Sequence, residues 1–258
     1  MDEGLEDDGP RCERCNDTGW VIEGDEAFRC DCYESLRQDI LLAQANIPER
    51  YSHCSLLGFE VGNNTSLLRA RDIAMALVKA YPARRDGLLF MGGCGVGKTH
   101  LAVGIIKDII SKSVPCLFVD FRALLDEIKE TYSDPKGGPS ESDILQPVLE
   151  TEVVVLDDLG AEHVSEWVRD RLGFIINYRY NNKKMMIITT NYLDARGKKS
   201  SLTRAAQTLE ERIGMRLRSR LYEMCDLVEI KADDYRPKIA SPTTRNKRGK
   251  TPKSAAEE

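Results

Sequence analysis

Residues 87–110, GLLFMGGCGVGKTHLAVGIIKDII, leave little freedom in how the surrounding chain folds. A short apolar run, Leu88 to Met91, leads into Gly92-x-x-x-x-Gly97-Lys98-Thr99. A helix is expected next, with Leu101, Ala102, Ile105, Ile106 and Ile109 on one face. Strand, glycine loop and helix in that order form a phosphate-binding P-loop. Glycines let the backbone curl until successive N–H groups point inward at phosphate oxygens, and the helix N-terminus adds positive potential. Gly92, Gly93, Gly95, Val96, Gly97, Lys98, Thr99 and His100 are therefore the expected nucleotide cradle. Within it Lys98 supplies a mobile charge for the β- and γ-phosphates, and Thr99 a hydroxyl for Mg2+.

A loop of this kind needs a second acidic element to hold the metal. The stretch EVVVLDDLG carries four apolar residues, Val153 to Leu156, and then Asp157 and Asp158. Asp157 ends the expected strand and is placed to bind Mg2+. Asp158, one residue on, is placed to orient and polarise an attacking water. A further buried strand, KKMMIITTNY, ends in Thr189, Thr190 and Asn191. Asn191 can set its amide between that water and the γ-phosphate, because ligands of parallel sheets gather at strand C-termini. From about residue 51 to 236, apolar runs alternate with amphipathic helices, the pattern of a layered α/β sheet.

The segment ERIGMRLRSRLYEMC, residues 211–225, is expected to be one helix. Ile213, Leu217, Leu221 and Met224 then form an apolar stripe, with Arg212, Arg216 and Arg220 in a row beside it. Such a row can be a solvated face, a DNA contact or a set of guanidinium groups aimed at phosphate. Arg218 points elsewhere on the helix, toward solvent.

Eight cysteines in 258 residues, without an export signal, point to a reducing compartment and to metal binding rather than disulfides. The start MDEGLEDDGP is acidic where a signal peptide would be basic and then apolar. No apolar stretch approaches the roughly 20 residues that span a bilayer. Cytoplasm is the expected location. The net charge of −5 argues against coating DNA through bulk charge. Half of the cysteines fall in RCERCNDTGWVIEGDEAFRCDC: Cys12 and Cys15, then Cys30 and Cys32. Two closely spaced thiolate pairs suit tetrahedral Zn2+, which would supply the folding energy that so short a segment lacks. A redox pair is the lesser alternative. The tight Cys-x-Cys half leaves His53 or Cys54 as remote substitutes. Cys94, Cys116 and Cys225 are expected to be small buried hydrophobes.

Taken together, the P-loop GGCGVGKTHLA, LDDLGAE, WVRDRLGFIINYRY, ITTNY, RLRSRLYEMC and DDYR resemble the AAA+ ATPases in their order. Within them they resemble the bacterial helicase loaders of the DnaC/DnaI type and their relative IstB. ANIPERY and the cysteine cluster extend the match, which runs from about residue 12 to 236. The resemblance implies a central parallel sheet flanked by helices, preceded by a small zinc-binding helical module. It divides the chain into an adaptor at 1–50, an ATPase domain at 51–236 and a disordered tail at 237–258. Members of this branch have little or no helical lid, in agreement with how soon the chain ends after its last strand, Leu227 to Ile230.

By position in the family pattern, Arg220 would enter the ATP site of a neighbouring copy. Arg216 would be a second phosphate contact or a support, and Arg236 either a γ-phosphate contact in cis or a surface salt bridge. ATP, Mg2+ and Zn2+ are the implied cofactors. The implied partners are a hexameric replicative helicase, single-stranded DNA and further copies joined head to tail, with no membrane. Leu36, Ile40 and Leu41 of the helix YESLRQDILLAQANI pack on the zinc module or on a partner. Arg122, Lys129 and Tyr132 lie off the apolar face of the helix where loaders meet single strands. Most AAA+ proteins carry Asp-Glu where this chain has Asp157-Asp158, and the shorter carboxylate implies slow hydrolysis, with Glu162 as a possible auxiliary. The rival reading is an IstB-like transposition helper that binds double-stranded DNA and recruits a transposase. A third is an adaptor that binds ATP without turnover.

Overall fold

The structure is a computed structural model that describes residues 12–24, 26–133, 138–161, 165–194 and 208–237. The acidic start, Glu162 and nearly all of the expected tail lie outside the described residues.

The chain begins with a hairpin of β1 (Trp20–Glu23) and β2 (Glu26–Arg29), followed by helix α1 (Asp31–Gln44). A 3-10 turn at Glu49–Tyr51 leads to α2 (Thr65–Ala80), whose N-terminus is capped by the Asn64 side chain. Then come β3 (Gly87–Gly92), α3 (Lys98–Ile110), β4 (Cys116–Asp120), α4 (Phe121–Ser133), α5 (Glu141–Glu150), β5 (Val153–Asp157), α6 (Glu166–Asn181) and β6 (Met185–Thr190). Two short helices, α7 (Leu209–Ile213) and α8 (Met215–Met224), precede the last strand, β7 (Cys225–Ile230).

β3 to β7 form one parallel sheet in the order β4-β5-β6-β3-β7. Every residue of β3 and β6 is buried, as expected of strands covered on both faces. The pleat divides their side chains between two cores. Leu88 and Phe90 pack with Leu101 and Ile105 of α3 on one side. Leu89 and Met91 face Ile175 of α6 and Leu221 of α8 on the other. This strand order sets the C-terminal ends of β5, β6 and β3 side by side, where the predicted site residues sit.

α1 corrects the expectation that Leu41 packs on the zinc module or on a partner. Leu41 packs on the core of the sheet domain, while Leu36 and Ile40 stay exposed. The Ala45 carbonyl just beyond α1 accepts a hydrogen bond from Phe118 N–H (2.7 Å), tying this end of the helix to edge strand β4.

The expected single helix over 211–225 is broken. Gly214 adopts φ 86°, ψ 152°, a conformation available to glycine, and separates α7 from α8. The apolar stripe survives, since Ile213, Leu217 and Leu221 are all buried. The arginine row does not, because Arg212 lies on a different helix from Arg216 and Arg220.

Candidate nucleotide site and cysteine cluster

The loop after β3 has to turn tightly enough to bring its amides around to α3. Gly95 (φ +70°) and Gly97 (φ +96°) provide the left-handed steps. Both are also pressed from outside. A Cβ on Gly97 would stand 2.5 Å from the Phe59 ring, and one on Gly95 would stand 1.7 Å from an Asp234 oxygen.

Lys98 is buried at the base of the loop. Its ammonium donates to the carbonyls of Gly92 (3.1 Å) and Gly93 (2.7 Å) and to Asn191 Oδ1 (2.7 Å). Burial lowers its pKa, and the charges of Cys94, Asp158 and Asp157 oppose that shift. The other half of the Asn191 amide donates to Asp158 Oδ1 (2.6 Å). One amide thus joins the end of β6 to both the lysine and the expected water-orienting carboxylate. Asp158 itself is exposed, at φ +56°, with its N–H donated to Thr189 Oγ1 (2.9 Å).

Asp157 is buried and receives the hydroxyls of Thr99 (2.9 Å) and Thr189 (2.6 Å) on Oδ1. Desolvation raises its pKa against the pull of those two hydroxyls. Thr99 and Asp157 are therefore adjacent, as a shared divalent ion requires. Thr189, one of the two threonines that end an otherwise apolar strand, was visible in the sequence but without a role. It aligns Asp157 and the backbone of Asp158 together.

Arg236 is brought to this edge. The Tyr235 N–H bonds to the Gly95 carbonyl (3.1 Å), and the Arg236 charge is near enough to depress Lys98 further. His100 turns the other way. Its Nε2 lies 2.9 Å from the Ser55 carbonyl and its ring meets Phe59 edge-on at 5.3 Å. Val96 is buried, whereas Cys94 is exposed on the loop, contrary to expectation. Cys116 and Cys225 are buried as expected, and desolvation pushes both thiols up to about 12.

The arginines separate by environment. Arg212 stacks on Tyr192, 4.6 Å from the ring centroid, at the strand-end edge. Arg218, expected in solvent, is buried and grips both oxygens of Asp194 at 3.0 and 2.5 Å. Nothing in the local sequence marks that pair, which spans 24 residues. Arg220 is half-buried and donates to Asn177 Oδ1 of α6. Arg216 is exposed and, among the described residues, has no ion-pair partner. Since Cys225, right after α8, pairs with Gly87 at the start of β3, the N-terminal turn of α8 lies nearer the loop edge. Arg216 thus stands closer to that edge than Arg220.

The four N-terminal cysteines converge. Cys12 and Cys30 sulfurs are 3.7 Å apart, Cys15 and Cys32 3.3 Å, and all four lie within 4.8 Å of one another. The Cys15 backbone amide holds the Cys12 thiol down to about 7, while sharing hydrogen bonds with Cys15 and Cys30 pushes the Cys32 thiol up. This donor set can hold a metal ion. His53 and Cys54 are not part of it; they gather with His100 instead.

Tyr132 and Trp167 meet edge-on at 6.3 Å, with Lys129 (5.7 Å) and Arg171 (5.9 Å) over the Trp167 ring. Lys129 also pairs with Asp126, and Tyr132 donates to Glu141. Sequence reasoning reached Tyr132 and Lys129 but missed Trp167 and Arg171, which arrive from α6. Among the described residues no helix is long and apolar enough to cross a membrane.

The sequence profile of the family described as IstB-like ATP binding protein matches residues 35–243. The uncharacterized protein YqaM of Bacillus subtilis (strain 168) is 23% identical over 173 residues, 63% of this chain and 53% of that protein. The chain thus aligns with about half the length of that relative. Replicative helicase loader DnaC of Escherichia coli (strain K12) is 23% identical over 178 residues, 68% of this chain and 67% of the loader. A crystal structure of the DnaC helicase loader superposes with a TM-score of 0.60 at 38% identity, covering 71% of this chain and 99% of that one.

Proposed function

Because the chain belongs to the family of IstB-like ATP-binding proteins, we propose that it is an ATP-dependent loader of a replicative DNA helicase. The observation that carries this is the 38% identity to the DnaC helicase loader across 99% of the solved chain.

In this reading the loop from Gly92 to Thr99 cradles the triphosphate, and Lys98 leaves its own carbonyls for the phosphate oxygens. Thr99 and Asp157 would hold Mg2+, and the ion would supply positive charge against the phosphates. Asn191 keeps Asp158 aimed at the attacking water, so hydrolysis yields ADP and phosphate. Because Asp158 is one methylene shorter than the glutamate usual here, turnover is slow and suits a release switch. Arg236 serves the γ-phosphate in cis.

Arg220 gives up Asn177 to reach the ATP of the adjoining copy in a head-to-tail assembly, with Arg216 beside it. A guanidinium suits that task because it stays charged and presents a rigid fork of donors. In this reading residues 1–50 carry the adaptor, its hairpin held by Zn2+ on Cys12, Cys15, Cys30 and Cys32 and the end of α1 resting on the ATPase of residues 51–236. The adaptor offers exposed Trp20, Ile22, Phe28, Leu36 and Ile40 to the helicase. Tyr132 and Trp167, ringed by Lys129 and Arg171, give single-stranded DNA a stacking surface.

Two experiments test this. Tagged full-length chain, with and without ATP, should retain a ring helicase through residues 1–50. Capture of a transposase in its place would favour the transposition helper, which the family description keeps in view. Separately, Arg220→Ala should lower turnover per subunit at high protein concentration, and mixing it with Lys98→Ala should restore activity. Turnover equal to wild type across a concentration series would rule out the finger.

A further inference from the structure

His53, Cys54 and His100 offer three ligand atoms that lie within 4.8 Å of one another. The Cys54 sulfur stands 3.9 Å from His53 Nε2, and the two imidazole rings meet edge-on, centroids 6.1 Å apart. Ligand atoms around a tetrahedral ion with one thiolate and imidazoles sit roughly 3.3–3.6 Å apart. A shift of about 1 Å closes the set, and exposed His53 is free to make it. Cys54 and His100 are already held by packing.

We propose that these three residues form a second metal site, separate from the four N-terminal cysteines and suited to Zn2+ or a similar late first-row divalent ion. One thiolate and two imidazoles are the donor set such ions favour, and a fourth position stays open for water. His100 is arranged as a ligating imidazole usually is, with one nitrogen against a backbone carbonyl, that of Ser55, at 2.9 Å. The Ser55 N–H also approaches this nitrogen, at 3.3 Å; in the tautomer that donates to the carbonyl, the other ring nitrogen keeps its lone pair for a metal.

Lys107 works against a cation here. Its ammonium lies on the carbonyls of Ser52 (2.7 Å) and Cys54 (3.1 Å). The thiolate of Cys54 offsets this charge once the metal displaces its proton. His100 immediately follows Thr99, whereas His53 and Cys54 belong to the segment leading in from α1. An ion at this point would tie that segment to the first turn of the phosphate-binding helix.

The test is metal content per chain of the full-length protein, equilibrated with buffered Zn2+ after chelator treatment. Wild type should hold one more equivalent than His53→Gln, whose substitution is at an exposed side chain and leaves the core intact. Cys54→Ala should lose the same equivalent, with circular dichroism checking its fold. Cys15→Ser should keep this equivalent, so that His53→Gln in that background loses one more. Equal zinc content in wild type and His53→Gln overturns the proposal.

Discussion

The hairpin module and the phosphate loop both place charged or metal-binding groups with precision, by opposite means. β3 is buried along its whole length, and α3 buries nine of its 13 residues. Each fully buried Leu or Ile there contributes about 1.5–3 kcal/mol, so the loop between them is stretched over a rigid frame. In the module, Trp20, Ile22 and Phe28 are 44%, 76% and 48% exposed, and α1 buries no residue. Two strands of four residues cannot hold themselves together in water. What converges in this region is four sulfurs. One region gets its geometry from apolar burial and the other, on the proposed reading, from a metal held by its four sulfurs, so they should respond differently to the same insults.

Chelation draws the sharpest line. A structural Zn2+ contributes on the order of 10 kcal/mol to small modules, so if the four sulfurs hold one, as proposed, its removal, or Cys15→Ser, should open residues 12–30 to protease while the sheet stays protected. A module that remains resistant without metal would break the comparison. Lys98→Ala should do the reverse. Turnover should drop about 10²–10³-fold while the thermal midpoint moves little, because the ammonium only bridges loop carbonyls and Asn191.

Arg179 gives a smaller effect on the buried side. It is fully buried and donates to the carbonyls of Val148, Leu149, Thr151, Glu152 and Met185, joining the end of α5 to the start of β6. Arg179→Met should cost about 3 kcal/mol in urea unfolding, with the N-terminal module unchanged. The mildest test uses thiol reagent on metal-loaded protein at neutral pH. Cys94 should react, whereas Cys116 and Cys225, buried and pushed up to about 12, should not. ATP should slow the labelling of Cys94, and equal labelling with and without nucleotide would place that thiol away from the cradle.

Much of the nucleotide edge was legible in advance because its signals are local. A glycine loop between an apolar run and an amphipathic helix has one geometry, and apolar runs ending in Asp157 or Asn191 mark strand C-termini. The arginine segment was misread for an equally clear reason. Periodicity counts residues along an assumed helix, and the break at Gly214 moves Arg212 onto Tyr192. Arg218 looked solvated since its partner, Asp194, comes from another part of the chain. His53 and Cys54 were candidates for the wrong cluster for the same reason: spacing cannot report that His100 is the nearer ligand.

Local order of residue types was enough to specify the apolar strands, the phosphate loop, its lysine and the carboxylate at the end of β5. Each of these depends on backbone geometry within a few residues. The pairing of Arg218 with Asp194, the bridging of Lys98 to Asp158 by Asn191, and the meeting of His53, Cys54 and His100 emerged only when the strands took their places. Each of those contacts joins separate parts of the chain, and the packing of helices, loops and strand ends, not spacing, brings them together.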